Sequence, residues 1–453
     1  MRCLKQATTI LALLGAVLLA GCGINDTTSQ SDFNNGSGDQ PFKPTTHLLH
    51  RSVVSNYFAG DLAVMDATED RLTTYSFATG AEPTYLQPSP DGTLTFVNNT
   101  GSNSISSLNN NLESVKGTIQ LGGSTQSFVT SSDNKFGFAA VPFYSNGLPP
   151  NLPGAINRFN PTDGSLNTAI PFPYVHYLAI DPAQKHLLAF TSGDVSAPNG
   201  DDNVYWVDLT ATDPTNGFPP ISVLALPAGA LSRPIAAFFS SDSTKAYILN
   251  CGTECGGSSS ASVTEIDAFG YNISSQATNY LSGIHPGAAT VVRQWQRVNG
   301  QNLGARSGLI DLTANKLYVA GSTGILNDSG GNQVQNGYFT VIDLSAGSAS
   351  TPIGIGNGIK GVIRNINNGN FWVASTACGA QSCISVVNPS NNSASVLPNA
   401  NGDATGIALQ INSGEIYTIE GSQLHIYDKD GNSITSQYNT DVKGQPWDVL
   451  YID

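Results

Sequence analysis

Four cysteines stand in two close pairs, Cys251 with Cys255 in "NCGTECGG" and Cys378 with Cys383 in "ACGAQSC". Thiols at this spacing have three uses. All four can converge on one zinc ion as thiolates. Each pair can act as a redox couple, although C-x-x-C at a helix start, the usual form, is absent. Each pair can close a disulfide if its Cα atoms come within about 7 Å. Other candidate chemistry is thin. "GNGIKG" (356–361) has the spacing of a dinucleotide-binding loop but runs into the strand-like "VIRNI" instead of a helix, so it reads as a turn. "DKDGN" (428–432) opens like a calcium loop but lacks glycine at its sixth position and an acid at its twelfth, which leaves a tight hairpin turn. Asp201 and Asp202 beside Asn199 and Asn203 cluster oxygen ligands, leaving Ca²⁺ or a solvated loop both open. There is no H-E-x-x-H and no G-x-S-x-G. Apart from that calcium option, no cofactor is expected.

The N-terminus addresses the compartment in which the thiols must work. Arg2 and Lys5 precede an apolar run from Thr8 to Gly21, too short for a durable membrane span. The run ends in Leu19-Ala20-Gly21-Cys22, which resembles a bacterial lipobox. The resemblance implies a signal peptide over 1–21 and acylation of Cys22. Gly23, not Asp, then favours the outer membrane, facing the periplasm or the exterior. Residues 22–46 are polar and rich in Gly, Ser, Asn and Asp, a flexible tether ahead of a folded domain over 47–453. With Cys3 removed and Cys22 lipidated, four thiols remain in an oxidising compartment, an even number that favours disulfides.

Residues 22–453 carry 17 basic against 33 acidic side chains, a net charge of −16. Nucleic acid is thereby disfavoured, since its affinity comes from neutralising phosphates. No long amphipathic helix pattern is visible, and turn residues punctuate the whole chain.

One phrase recurs: a Ser/Asp/Asn/Gly turn, then an aromatic and β-branched run. Its copies include "SPDGTLTFVNN" (89–99), "SSDSTKAYILN" (240–250) and "LTANKLYVAG" (312–321). Each is a hairpin signal. A further strand follows and ends in Asp or Asn, as at Asp66, Asp208, Asp267, Asp343 and Asp428. Another strand precedes each turn, and these starts lie 42 to 70 residues apart. Four strands per unit at such a period predict an all-β fold, a single β-propeller of eight blades, with seven as the alternative. "PWDVLYID" at the C-terminus is an inner strand with nothing after it, and "HRSVVSN" a second strand with nothing before it, so the C-terminal strand should join the first blade and close the ring. "PDGTLTFVNN" and "KLYVAG…FTVIDL" are similar to the YVTN-type repeat of bacterial cell-surface and periplasmic β-propellers. That resemblance implies the fold and commonly seven blades.

The cysteine pairs then fall after the second strands of the fifth and seventh units, with a whole blade between them. Pairing within each loop is expected, Cys251–Cys255 and Cys378–Cys383. The mouth ends of the inner strands carry Tyr85, Gln126, His176, Arg233, Arg306, Lys360, Asp403 and Trp447. Three consecutive units offer Arg233, Arg306 and Lys360, and the nearby "VVRQWQRV" adds Arg293, Trp295 and Arg297. Cations with an aromatic can hold an anionic ligand or an acidic protein segment; simple compensation of neighbouring acids is the alternative. The expectation is a monomeric, non-catalytic binding or scaffolding module whose only membrane contact is the lipid anchor. The rival is a lactonase-type hydrolase using His176, Arg233 and Asp403.

Overall fold

The computed structural model describes residues 48–452 except 49, 146–151, 192–201, 214–216, 258, 272–283, 299–300, 328–332, 377, 379–380, 399–400 and 435–440. Cys22 and the proposed tether lie outside the described residues, as do Asn199 and Asp201. The described chain is all-β, with one 3₁₀ turn, Gly252–Cys255.

Eight strands form the hub, in ring order Pro446–Ile452, Pro83–Pro88, Ser127–Thr130, Val175–Ile180, Pro234–Phe239, Ser307–Asp311, Gly361–Arg364 and Ala404–Leu409. Each begins a meander that runs outward, which defines blades 1 to 8. Blade 1 joins the chain ends: Pro446–Ile452 pairs antiparallel with Arg51–Asn56, in the register Arg51↔Ile452, Val53↔Leu450 and Ser55↔Asp448. Asp61–Asp66 and Arg71–Ala78 complete that sheet. The expected eight units and the closing strand are therefore present. β-bulges shift the register within blades 1 to 3, and among the described residues departures from a separate four-stranded sheet fall in blades 4 to 6 and 8. The outer strands of blades 4 and 5, Ile221–Ala225 and Ile284–Trp295, pair in parallel and fuse two blades into one sheet. Blade 6 carries a long hairpin, Lys316–Asn327 with Gln333–Asp343. Blade 8 shows three strands among the described residues.

Burial explains the sequence pattern. Second strands are covered on both faces by adjacent blades, so "LTFVNN" of blade 2 is buried throughout and reads as continuous rather than alternating. Outer strands such as "RLTTYSFA" meet solvent and are largely exposed. Aromatics fill the wedges between blades. Phe96 is fully buried and meets Phe128 at 6.0 Å and Phe159 at 6.5 Å, edge to face, a geometry that aromatic rings prefer.

The asparagine that ends the second strand ties the sheet to the loops at the mouth. Asn250 Nδ2 donates to Ser262 Oγ at 3.1 Å and Thr264 Oγ1 at 3.0 Å, and its Oδ1 accepts from Ser232 N at 3.3 Å. Asn56 does the same at the seam, donating to the Lys443 carbonyl at 2.6 Å and accepting from Gln445 N at 3.0 Å. At the opposite face the hairpins need one left-handed residue each. Gly92, Asn134, Gln184, Ser243, Asn315, Gly369 and Gly414 take it, all at positive φ, the conformation in which glycine and asparagine cost least.

Candidate functional site

Inner strands start at one face, and loops from second to third strands return to the same face. That geometry gathers the mouth residues. In blade 5 the disulfide Cys251–Cys255, with Cα atoms 5.6 Å apart, closes the 3₁₀ turn. The turn is stitched to the inner strand by Cys251 N to Arg233 O and Gly252 N to Ser232 O, both 2.9 Å. Arg233 itself is at φ 53°, with its N–H donating to Asp202 Oδ2 at 2.7 Å and its guanidinium to the Gly256 carbonyl at 3.4 Å. The second disulfide, Cys378–Cys383, has Cα atoms 5.4 Å apart and lies in blade 7. Both expected pairings are present.

Arg306, at the start of the blade 6 inner strand, places its guanidinium 2.8 Å from Cys255 Sγ and 3.9 Å from Cys251 Sγ. On the same turn Glu254 Oε2 accepts from Ser322 N of blade 6 at 2.8 Å. Burial pushes the Glu254 carboxyl up from its ordinary value, opposed by the Ser322 hydrogen bonds and by the charges of Arg306 and Lys360. Lys360 is exposed at the start of the blade 7 inner strand, where the loop containing it is held by Gly358 N donating to Ser322 Oγ at 3.0 Å. Blades 6 and 7 thus present Arg306 and Lys360 to one partly desolvated carboxylate, and Arg233 of blade 5 is held against the same turn. Asp403 lies in the next blade, its Oδ1 4.0 Å from Cys383 Sγ.

The other half of the mouth is aromatic. Trp447 meets Tyr57 at 5.5 Å, and Tyr57 meets Phe58 at 5.4 Å. Phe58 is 76% exposed. Phe143 packs edge-on to Tyr174 at 5.2 Å. His176 Nδ1 lies 2.9 Å from Gln126 Oε1 of the preceding blade. Below the rim, Asp448 accepts from Leu86 N at 2.8 Å and from Val449 N at 2.9 Å. Burial in the hub pushes its carboxyl up to about 7. The Tyr85 hydroxyl nearby is buried and meets no hydrogen-bond partner among the described residues, and burial pushes it up as well.

Arg293 and Trp295 are not at the mouth's inner rim. Both belong to Ile284–Trp295, the strand of blade 5 farthest from the axis. Arg293 Nε lies 2.9 Å from Glu265 Oε2, and Lys245 Nζ lies 2.7 Å from Oε1 of the same fully buried carboxylate. Arg293 also covers the Trp295 ring at 5.7 Å, and Trp295 Nε1 donates to the Gly347 carbonyl at 3.2 Å. A buried carboxylate needs such partners, so these side chains are taken by the blade 5 to blade 6 interface. Sequence reading missed Glu254 and Asp448. Glu254 is a lone acid in a loop until the disulfide turns it inward, and Asp448 sits in an apolar strand whose facing neighbours are distant in sequence.

The remaining motifs resolve as turns. Gly358 is at positive φ and "GNGIKG" leads into Gly361–Arg364. Asp428 Oδ1 caps its own turn, accepting from Asp430 N and Asn432 N. Among the described residues no group of three or more His, Cys, Asp or Glu is placed to hold a metal ion.

Comparison with solved structures places the chain by shape. Dihydro-heme d1 dehydrogenase NirN, solved in complex with DHE, matches with a TM-score of 0.57 at 14% identity, over 90% of this chain and 77% of that one. Apo AztD from Citrobacter koseri matches with a TM-score of 0.53 at 12% identity, over 89% and 98%. The chain is a β-propeller. The periplasmic gluconolactonase PpgL of Pseudomonas aeruginosa is a more distant match, with a TM-score of 0.43 at 14% identity, over 89% and 99%. No family model and no curated protein matches the sequence. At these identities the likeness to this propeller is one of fold, and propellers host unrelated activities.

Proposed function

We propose that this propeller is a lipid-anchored, extracytoplasmic binding module that captures an anionic ligand or an acidic protein segment at its mouth. The observation that carries this reading is Arg306. Its guanidinium is held against a disulfide and shares Glu254 with Lys360 on the next blade, and Arg233 stands on the blade before. Three cations on consecutive blades of an acidic protein form a rigid, preorganised arc, and preorganised guanidinium groups suit carboxylate or phosphate oxygens. The lipid anchor at Cys22 and an outer-membrane location extend the same reading, on the strength of the lipobox.

Native mass spectrometry of protein from its own host tests it. A co-purifying anionic molecule or partner is expected, with diacylglycerol mass on Cys22. Arg233→Ala and Arg306→Ala should each weaken capture. Hydrolysis of gluconolactone by the purified protein, abolished in Arg233→Ala, would replace binding with the lactonase reading.

A further inference from the structure

The face opposite the mouth has its own asymmetry. Inner-to-second-strand hairpins crown this face on seven blades, and the residue after the capping position is comparable in each. It is Pro90, Ser132, Pro182 and Ser241 in blades 2 to 5, but Leu312, Ile366 and Ile411 in blades 6 to 8. These three are 44%, 63% and 51% exposed. The following residue divides the same way: Asp91, Asp133 and Asp242 are exposed acids on blades 2, 3 and 5, whereas Thr313, Asn367 and Asn412 are uncharged. Between the Leu312 and Ile366 turns lies a cleft of about 560 Å³ whose walls include Lys316, Asp343 and Arg364, the last donating to Asp311 Oδ2 at 2.7 Å. With its charges balanced by Asp311 and Asp343, this sector presents its exposed aliphatic side chains, and such side chains suit the lipid interface, where they dip below the headgroups.

The chain joins the ring at this same face. Leu48 packs on the blade 1 and 2 core. The His50 carbonyl accepts from Ala67 N at 3.0 Å, and the His50 ring lies 3.1 Å from Asn412 Nδ2, one residue from Ile411. A tether over 22–46 reaches at most about 80 Å when extended, so it confines the ring near a bilayer without choosing its orientation. The apolar sector beside its origin supplies the choice. We propose that this face, resting on the Cys22 acylation put forward above, seats Leu312, Ile366 and Ile411 in the bilayer interface and turns the mouth away from the membrane.

Environment-sensitive NBD labels on the full chain test this, since the native ring cysteines are paired. Ile366→Cys and Ile411→Cys report the proposed face, Phe58→Cys the mouth. Acylated protein goes into phosphatidylethanolamine and phosphatidylglycerol vesicles containing brominated lipid. Labels at 366 and 411 should shift blue and be quenched, while the label at 58 stays solvent-like. Equal behaviour at both faces with lipid mass present on Cys22 overturns the orientation alone. An unmodified Cys22 removes the anchor, and the orientation falls with it. Hydrogen exchange on unlabelled protein in the same vesicles provides a second readout: slowed exchange at the 311–316, 364–371 and 409–416 hairpins is expected, and unchanged exchange there also overturns the proposal.

Discussion

The Arg306 guanidinium rests 2.8 Å from Cys255 Sγ, so the middle cation of the three on blades 5 to 7 is positioned by a disulfide of the neighbouring blade. The same turn carries Glu254 to Ser322. Covalent closure of one short loop therefore orders charges contributed by two blades.

Replacing Cys251 and Cys255 together by serine should cost about 2 kcal/mol, the chain-entropy value for so short a loop. The larger effect should be on ligand capture, because Glu254 and the surface under Arg306 lose their fixed geometry. Thermal unfolding and a binding titration on the same variant separate the two. A binding constant unchanged from wild type would show that the turn does not organise the mouth.

Removing Trp447 through Asp453 deletes most of the inner strand of blade 1. Val449 and Ile452, 2% and 4% exposed, leave the hub, each worth about 2 kcal/mol of apolar burial. Arg51–Asn56 also loses its ladder partner. Calorimetry should show loss of the single cooperative transition or a large fall in Tm.

Asn250→Ala should destabilise by about 1–3 kcal/mol, the range for leaving buried partners unsatisfied. Ser232 N loses its Asn250 acceptor, while Ser262 and Thr264 lose one donor and keep Gln294 Nε2 at 3.2 Å. Asn391→Ala, on an exposed outer turn, serves as the control and should be near neutral in urea titration.

Stability should peak in mildly acidic solution. Asp448 and Asp70 are pushed up to about 7 and about 6, chiefly by burial. Each therefore keeps its proton when folded after the unfolded chain has released it, and stability falls as pH rises from about 4 through 7. Asp133 and Asp242 are held at about 2, chiefly by hydrogen bonds from Lys135 and Ser240 respectively. They bind protons more readily when unfolded, so stability also falls as pH drops from about 4 toward 2. Denaturant midpoints from pH 3 to 9 trace the curve, and Asp448→Asn should flatten its upper limb.

How much of this was legible in the chain differs by feature. The hairpin phrase repeats because each blade must turn tightly and then bury a strand on both faces, and the eight units could be counted from it. Disulfide pairing followed from blade spacing. Seven blades remained open beside eight because the stretch from Ala288 to Arg306 looks irregular. It is the outer strand of blade 5 followed by the small hairpin of Arg297–Val298 with Gln301–Asn302. A strand that pairs in parallel with the preceding blade leaves no local turn signal.

The sequence by itself determined strand order, closure of the ring and which residues begin the inner strands, since all of these follow from local periodicity. Tertiary structure decided which charges are available. Arg293 and Arg306 are both cations near the same blade boundary, yet one is held by a buried carboxylate on the outer strand and the other rests on a disulfide at the mouth. Radial position and partner depend on side chains brought together from distant segments, and charge type alone carries no record of that distance.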